Sequence, residues 1–123
     1  MAYPTILYKG QYTLKRVLTM PAAVTLTIAD IGKLVTVDAS GIVVLAPADA
    51  TFYGVLRTVN EKDNVATVDF SGVHEFEASA DIDAGTQVIP AGSTTVKAGS
   101  GATTAVTLVQ AAAGEKVQIF FLN

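Results

Sequence analysis

Phe52-Tyr53-Gly54-Val55-Leu56-Arg57-Thr58-Val59, then Asn60-Glu61-Lys62-Asp63-Asn64, then Val65-Ala66-Thr67-Val68-Asp69-Phe70: two apolar, β-branched runs flank one polar break. This stretch reads as a strand, a turn and a returning strand. Working outward, Ser71-Gly72 interrupts the chain and 73–78 resumes it, with His74, Phe76 and Ala78 on one face and Glu75 and Glu77 on the other. Upstream, Val35-Thr36-Val37 meets the turn candidate Asp38-Ala39-Ser40-Gly41, and Ile42-Val43-Val44-Leu45 returns, so 34–46 reads as a hairpin. Val24-Thr25-Leu26-Thr27-Ile28 alternates with period two and reads as a further strand. Downstream, 88–89, 94–98, 103–110 and 116–122 read as the closing strands, with Val117, Ile119 and Phe121 sharing a face opposed by Gln118. Ala-rich 111–113 runs straight into Gly114 and reads as a turn. The one helical candidate is 79–85, where Ser79 is placed to cap, Asp81 and Asp83 sit near the start and Gly85 closes.

Composition agrees. Of 123 residues, 16 are Val, 15 Thr and 7 Ile, so 38 are β-branched and stiff at the first side-chain torsion. Hydrophobic residues make up 50%, enough for one core and against global disorder. There is no repeat of 20–50 residues. The expected fold is all-β: a small single-domain β-barrel or sandwich over 21–123 with at most one short helix, preceded by an extended N-terminal arm, 1–20.

Charged residues are only 15%, so another chain is expected to cover part of the surface. The net charge of −3 argues against a protein that wraps duplex nucleic acid. Residues 1–20 carry Lys9, Lys15 and Arg16 and no acid, +3; the remainder carries five bases and eleven acids, −6. No apolar run reaches the roughly 18 residues of a membrane span. The first twenty residues lack the continuous apolar stretch of a signal peptide, so synthesis in a cytoplasm is expected. Without Cys there is no disulfide and no thiolate metal site, and with one His no site uses two imidazoles.

Catalytic signals are sparse. Gly99-Ser100-Gly101 opens like a dinucleotide fingerprint, but Thr104 holds the third glycine position and no helix follows, so it reads as a turn. His74 is the only imidazole base; a Ser-His-Asp site with Ser71 or Ser79 is formally possible, yet no GxSxG elbow is present. Glu75, Glu77, Asp81 and Asp83 read as an acidic edge that deters sheet-to-sheet aggregation, since their spacing fits no calcium loop. The arm holds Tyr3, Tyr8 and Tyr12, three of the four tyrosines, interleaved with Ile6, Leu7, Leu14, Lys9, Lys15 and Arg16. Such a segment suits packing on its own barrel or strand addition to a partner, and less well single-stranded nucleic acid.

From Asp30-Ile31-Gly32-Lys33-Leu34-Val35-Thr36-Val37 onward the chain resembles the small capsid decoration, or cement, proteins of tailed bacteriophages. The landmarks are Phe52-Tyr53-Gly54-Val55-Leu56, a polar turn, 65–70 with Gly72-Val73, then Ala80-Asp81-Ile82-Asp83-Ala84-Gly85-Thr86-Gln87-Val88 and Gly114-Glu115-Lys116-Val117-Gln118-Ile119. The resemblance covers about 90 residues and is a pattern of glycines, valines and strand order. It implies a β-tulip barrel on the outer surface of an expanded capsid. There it would act as a homotrimer clamping neighbouring copies of the major capsid protein, with no enzymatic activity and no cofactor. It also implies an arm that reaches the shell, placed by position within 3–20. A tail or head-fibre base is the runner-up, and a small β-barrel enzyme or ligand carrier the third reading.

Overall fold

The computed structural model describes residues 17–122. Among the described residues ten strands run in chain order: β1 Val17–Pro21, β2 Leu34–Val37, β3 Val43–Leu45, β4 Gly54–Asn60, β5 Val65–Asp69, β6 Val73–Ala78, β7 Val88–Pro90, β8 Thr95–Ala98, β9 Ala105–Thr107 and β10 Lys116–Phe121. They form two five-stranded sheets, sheet A in the order β1-β5-β4-β2-β3 and sheet B in the order β7-β8-β6-β10-β9. Every pairing is antiparallel except β6 with β8. The fold is all-β, in keeping with the β-branched content.

The expectation of one barrel is corrected. Neither sheet closes. In each, the two ends are joined by one isolated bridge and no continuous ladder: Ala22 with Val43 in sheet A, and Gln87 with Val106 in sheet B. The edge strands β3, β7 and β9 are three residues long, too short to carry a continuous ladder around the seam. The buried apolar side chains form two cores. One core holds Ala22, Leu26, Val35, Val43, Leu56, Ala66, Val68 and Phe70 inside sheet A. The other is larger and centres on Phe76, Val96, Val117, Ile119 and Phe121 of sheet B.

β2 and β4 lie between the two cores. Successive side chains on a strand point to opposite faces. Leu34 and Val55 therefore enter the sheet B core, while their neighbours Val35 and Leu56 enter the sheet A core. Truncating a large residue buried there, such as Leu56, costs about 2–5 kcal/mol by loss of transfer energy and cavity formation. A register slip at Leu56/Thr58 bulges Arg57 and turns the far half of β4 outward.

The turns follow side-chain chemistry. Asp38 Oδ1 accepts from the Ser40 and Ile42 amides at 2.8 and 3.0 Å and closes the β2–β3 hairpin. Asn60 Oδ1 does the same for Lys62 and Asp63 between β4 and β5, where Asn64 takes a φ of 53°.

Three local expectations differ. The strand expected over 24–28 is replaced by a turn and a 3-10 turn, Ile28–Asp30. Asp30 Oδ2 accepts the Thr27 amide at 3.0 Å, so a local side-chain bond displaces the sheet pairing that alternation suggested. The helix expected over 79–85 does not form. The Ser79, Ile82 and Gly85 amides donate instead to the carbonyls of Val96, Ala111 and Thr107 at 3.0, 2.8 and 2.8 Å. Residues 17–20, read as arm, pair with β5 as part of β1.

Asp30 is buried and holds the 22–33 connection together. Its carboxyl stays below the usual carboxylate range because the Thr27 amide and then the Lys33 ammonium, 3.0 Å away, bond its charged form. A depressed folded pKa gives stability that is complete above the unfolded value of about 4 and is lost as pH falls through the folded value. Asp30→Asn is therefore expected to lower the thermal midpoint at neutral pH. The gap to wild type, followed by calorimetry at decreasing pH, should begin to close only below about pH 4. A gap that stays constant into strong acid would contradict this role.

Candidate functional site

The structure brings Asp69, Ser71 and His74 together where the chain crosses from β5 to β6. Their bonding is structural. Asp69 Oδ1 accepts from the Ser71 amide at 2.9 Å and from the Ser71 hydroxyl at 2.7 Å. His74 Nε2 lies 2.9 Å from the Ser71 carbonyl oxygen and 3.8 Å from Asp69 Oδ2. A carbonyl oxygen only accepts, so Nε2 carries a hydrogen and donates. A nucleophilic serine must instead give its proton to a basic nitrogen of the imidazole. Here the Ser71 hydroxyl points to a carboxylate, and the imidazole meets Phe121 edge-on, with ring centroids 5.6 Å apart. The cluster ties the two sheets at their crossover.

The four acids separate. Glu75 and Glu77 stand exposed on the outer face of sheet B, opposite Gln118 and Lys116 of β10. Asp81 and Asp83 lie in the 79–87 connection, away from that ladder. Asp81 and Glu115 line a surface depression of about 270 Å³ with Gln110, Ala111 and Ala112. Both carboxylates are already engaged by backbone: Asp81 Oδ1 accepts the Ala113 amide at 3.0 Å, and Glu115 Oε1 the Ala112 amide at 2.9 Å. Among the described residues no three acids or histidines converge on a point where a cation could sit.

Gly99-Ser100-Gly101 is a close-approach turn. A Cβ on Gly101 would stand 2.5 Å from the Thr51 carbonyl oxygen, and one on Gly99 would stand 2.6 Å from the Ile89 side chain. These glycines serve backbone packing.

The distinctive surface is apolar. The 22–33 connection exposes Val24 (78%), Ile28 (65%) and Ile31 (47%) within eight residues. It is held from several sides: the Ala23 amide donates to the Val43 carbonyl, the Ile28 amide to Glu61 Oε2 at 3.1 Å, and the Gly32 amide to the Leu56 carbonyl. A second apolar strip crosses the outer face of sheet B. Val73, Phe120 and half-buried Val106 stand in one cross-strand row, with Leu108 and Leu122 beside it. Sequence reasoning passed over both. The second had a readable signal, since placing Phe76, Ile119 and Phe121 inside puts Val73 and Phe120 outside. The first had none, because 24–28 reads as a half-buried strand.

The expected arm contacts Tyr3, Ile6, Leu7, Tyr8, Lys9, Tyr12, Leu14, Lys15 and Arg16 lie outside the described residues. No helix among the described residues is long and apolar enough to cross a membrane. No family model matches the chain, and comparison with curated proteins finds no match.

Because the Ser71 hydroxyl donates to Asp69, a fluorophosphonate serine probe is expected to leave the intact mass of the protein unchanged. A covalent adduct mapped to Ser71 would overturn the structural assignment of the cluster.

Proposed function

We propose that this chain is a structural virion protein of a tailed bacteriophage. It binds the outside of the expanded capsid and clamps neighbouring copies of the major capsid protein, as a homotrimer and without a cofactor. It is made in the host cytoplasm and resides on the outer capsid surface.

The observation that carries this reading is the exposed apolar surface of the 22–33 connection. Val24, Ile28 and Ile31 offer apolar area to a partner. The bonds of Thr27, Asp30, Lys33 and Glu61 fix the backbone beneath them before any partner arrives. A contact surface ordered in advance loses little conformational entropy on binding. The low charge of the chain, 15%, fits lasting burial against another protein. A partner that binds only the folded form also adds to its stability, which suits a chain with no disulfide. The basic, tyrosine-rich segment 1–16 is assigned as the second contact with the shell, on its composition and on the phage-protein resemblance.

Co-sedimentation with expanded, undecorated shells tests this. Wild type is expected to pellet with the shells. A Val24→Glu, Ile28→Glu double variant should bind at least tenfold more weakly, about 1.4 kcal/mol, with unchanged circular dichroism. Failure of the wild type to bind would overturn the capsid reading. Equal binding by the variant would remove the 22–33 connection as the contact.

A further inference from the structure

β4 runs alongside the 22–33 connection and is tied to it on both sides of residues 57–60. The Gly32 amide donates to the Leu56 carbonyl at 2.8 Å, and the Leu56 amide to the Lys33 carbonyl at 2.9 Å. Beyond Asn60, Glu61 Oε2 accepts the Ile28 amide at 3.1 Å. Arg57 directly follows the first tie, so its backbone stands beside the segment that carries Ile28 and Ile31. Strict alternation from Leu56 would send Arg57 outward and Thr58 inward. The register slip between Leu56 and Thr58 leaves both exposed and packs Val59 against the sheet A core.

The charges that touch the connection are already engaged within it. Lys33 Nζ donates to Asp30 Oδ1 at 3.0 Å, and Asp30 Oδ2 holds the Thr27 amide. Glu61 holds the Ile28 amide. Arg57, the one arginine within 17–122, has no hydrogen-bond or ion-pair partner among the described residues. It stands unpaired although residues 21–123 carry eleven acids against five bases.

We propose that Arg57 is the polar anchor of the contact made by the 22–33 connection, and that the partner protein presents an Asp or Glu carboxylate to it. The inference rests on the capsid reading and names the chemistry that the shell must offer there. Ile28 and Ile31 give non-directional contact area beside the guanidinium. The guanidinium supplies direction, because its planar fork takes a carboxylate through two parallel hydrogen bonds. Arginine beside apolar residues is a favoured anchor of protein interfaces. The acid excess of the body adds selectivity. It repels a carboxylate-bearing surface over most of the molecule, so the attraction at Arg57 sets which face docks and in what register.

The full chain is co-sedimented with expanded, undecorated shells. One batch is native, and in a second the carboxylates are converted to neutral amides with carbodiimide and glycinamide. On native shells Arg57→Gln should bind at least about tenfold more weakly than wild type, with unchanged circular dichroism. Arg57→Lys should recover only part of that loss, since an ammonium lacks the fork. Lys116→Gln removes an equal charge on sheet B and should bind as wild type does. On the amidated shells the gap between wild type and Arg57→Gln should close. Three results would overturn the anchor while leaving the capsid reading in place: equal native-shell binding by wild type and Arg57→Gln, equal losses in Arg57→Gln and Lys116→Gln, or a gap that survives amidation. A wild type that fails to pellet with native shells would overturn both.

Discussion

The fold depends on how one buried tyrosine is satisfied. Tyr53 is fully buried where the chain enters β4, within the sheet B core and against Phe121. Its backbone amide and carbonyl have no water to turn to, and unmatched groups at such a site cost about 1–3 kcal/mol each. The Thr103 hydroxyl answers both: its oxygen accepts from the Tyr53 amide and its hydrogen goes to the Tyr53 carbonyl, each at 2.9 Å. The phenol donates to the Val88 carbonyl at 2.5 Å. Burial pushes the phenol far above its ordinary pKa, so it remains a donor. The Thr103 amide reaches back to the Thr51 carbonyl at 3.0 Å, and Gly101 permits the approach. Thus the entry to β4 in sheet A is bolted to β7 and the β8–β9 connection in sheet B.

That bolt decides which residues face solvent. With Tyr53 fixed, Val55 and Leu56 divide between the two cores, and β5 follows β4 in register. With Phe76, Ile119 and Phe121 inside sheet B, Val73 and Phe120 are forced outward by strand alternation. The exposed apolar strip is thus a consequence of a full core, retained on the surface where a cover can meet it. The 22–33 connection has a different origin. Its local bonds to Asp30 hold Leu26 in the sheet A core and leave Val24 and Ile28 outside.

Many of the strands and their turns were legible because alternation needs only local sequence. The hairpin at Asp38, the β4–β5 return and the faces of His74, Phe76, Val117 and Ile119 all follow from it. What escaped depends on distant partners. Val17-Leu18-Thr19-Met20-Pro21 has no strict alternation and becomes a strand only through β5, about fifty residues away. Ser79 and Gly85 look like helix boundaries until Ile82 finds Ala111. Two cores were unreadable as well, since adjacent apolar pairs such as Leu34-Val35 and Val55-Leu56 do not say that each residue serves a different one. For the site, the Ser71–His74 proximity was foreseeable, but the direction of its hydrogen bonds was not.

The most direct test is native-state hydrogen exchange of wild type and Thr103→Val, a change that keeps the shape and removes the hydroxyl. The amides of Ala46 and Leu56 report sheet A, and those of Thr107 and Phe121 report sheet B; all four donate to backbone carbonyls of another segment. One cooperative unit held at Tyr53 predicts equal opening energies for the four in wild type, falling together in the variant by about 1–3 kcal/mol. Unchanged protection in the variant, or sheets that open with separate energies in the wild type, would contradict the account.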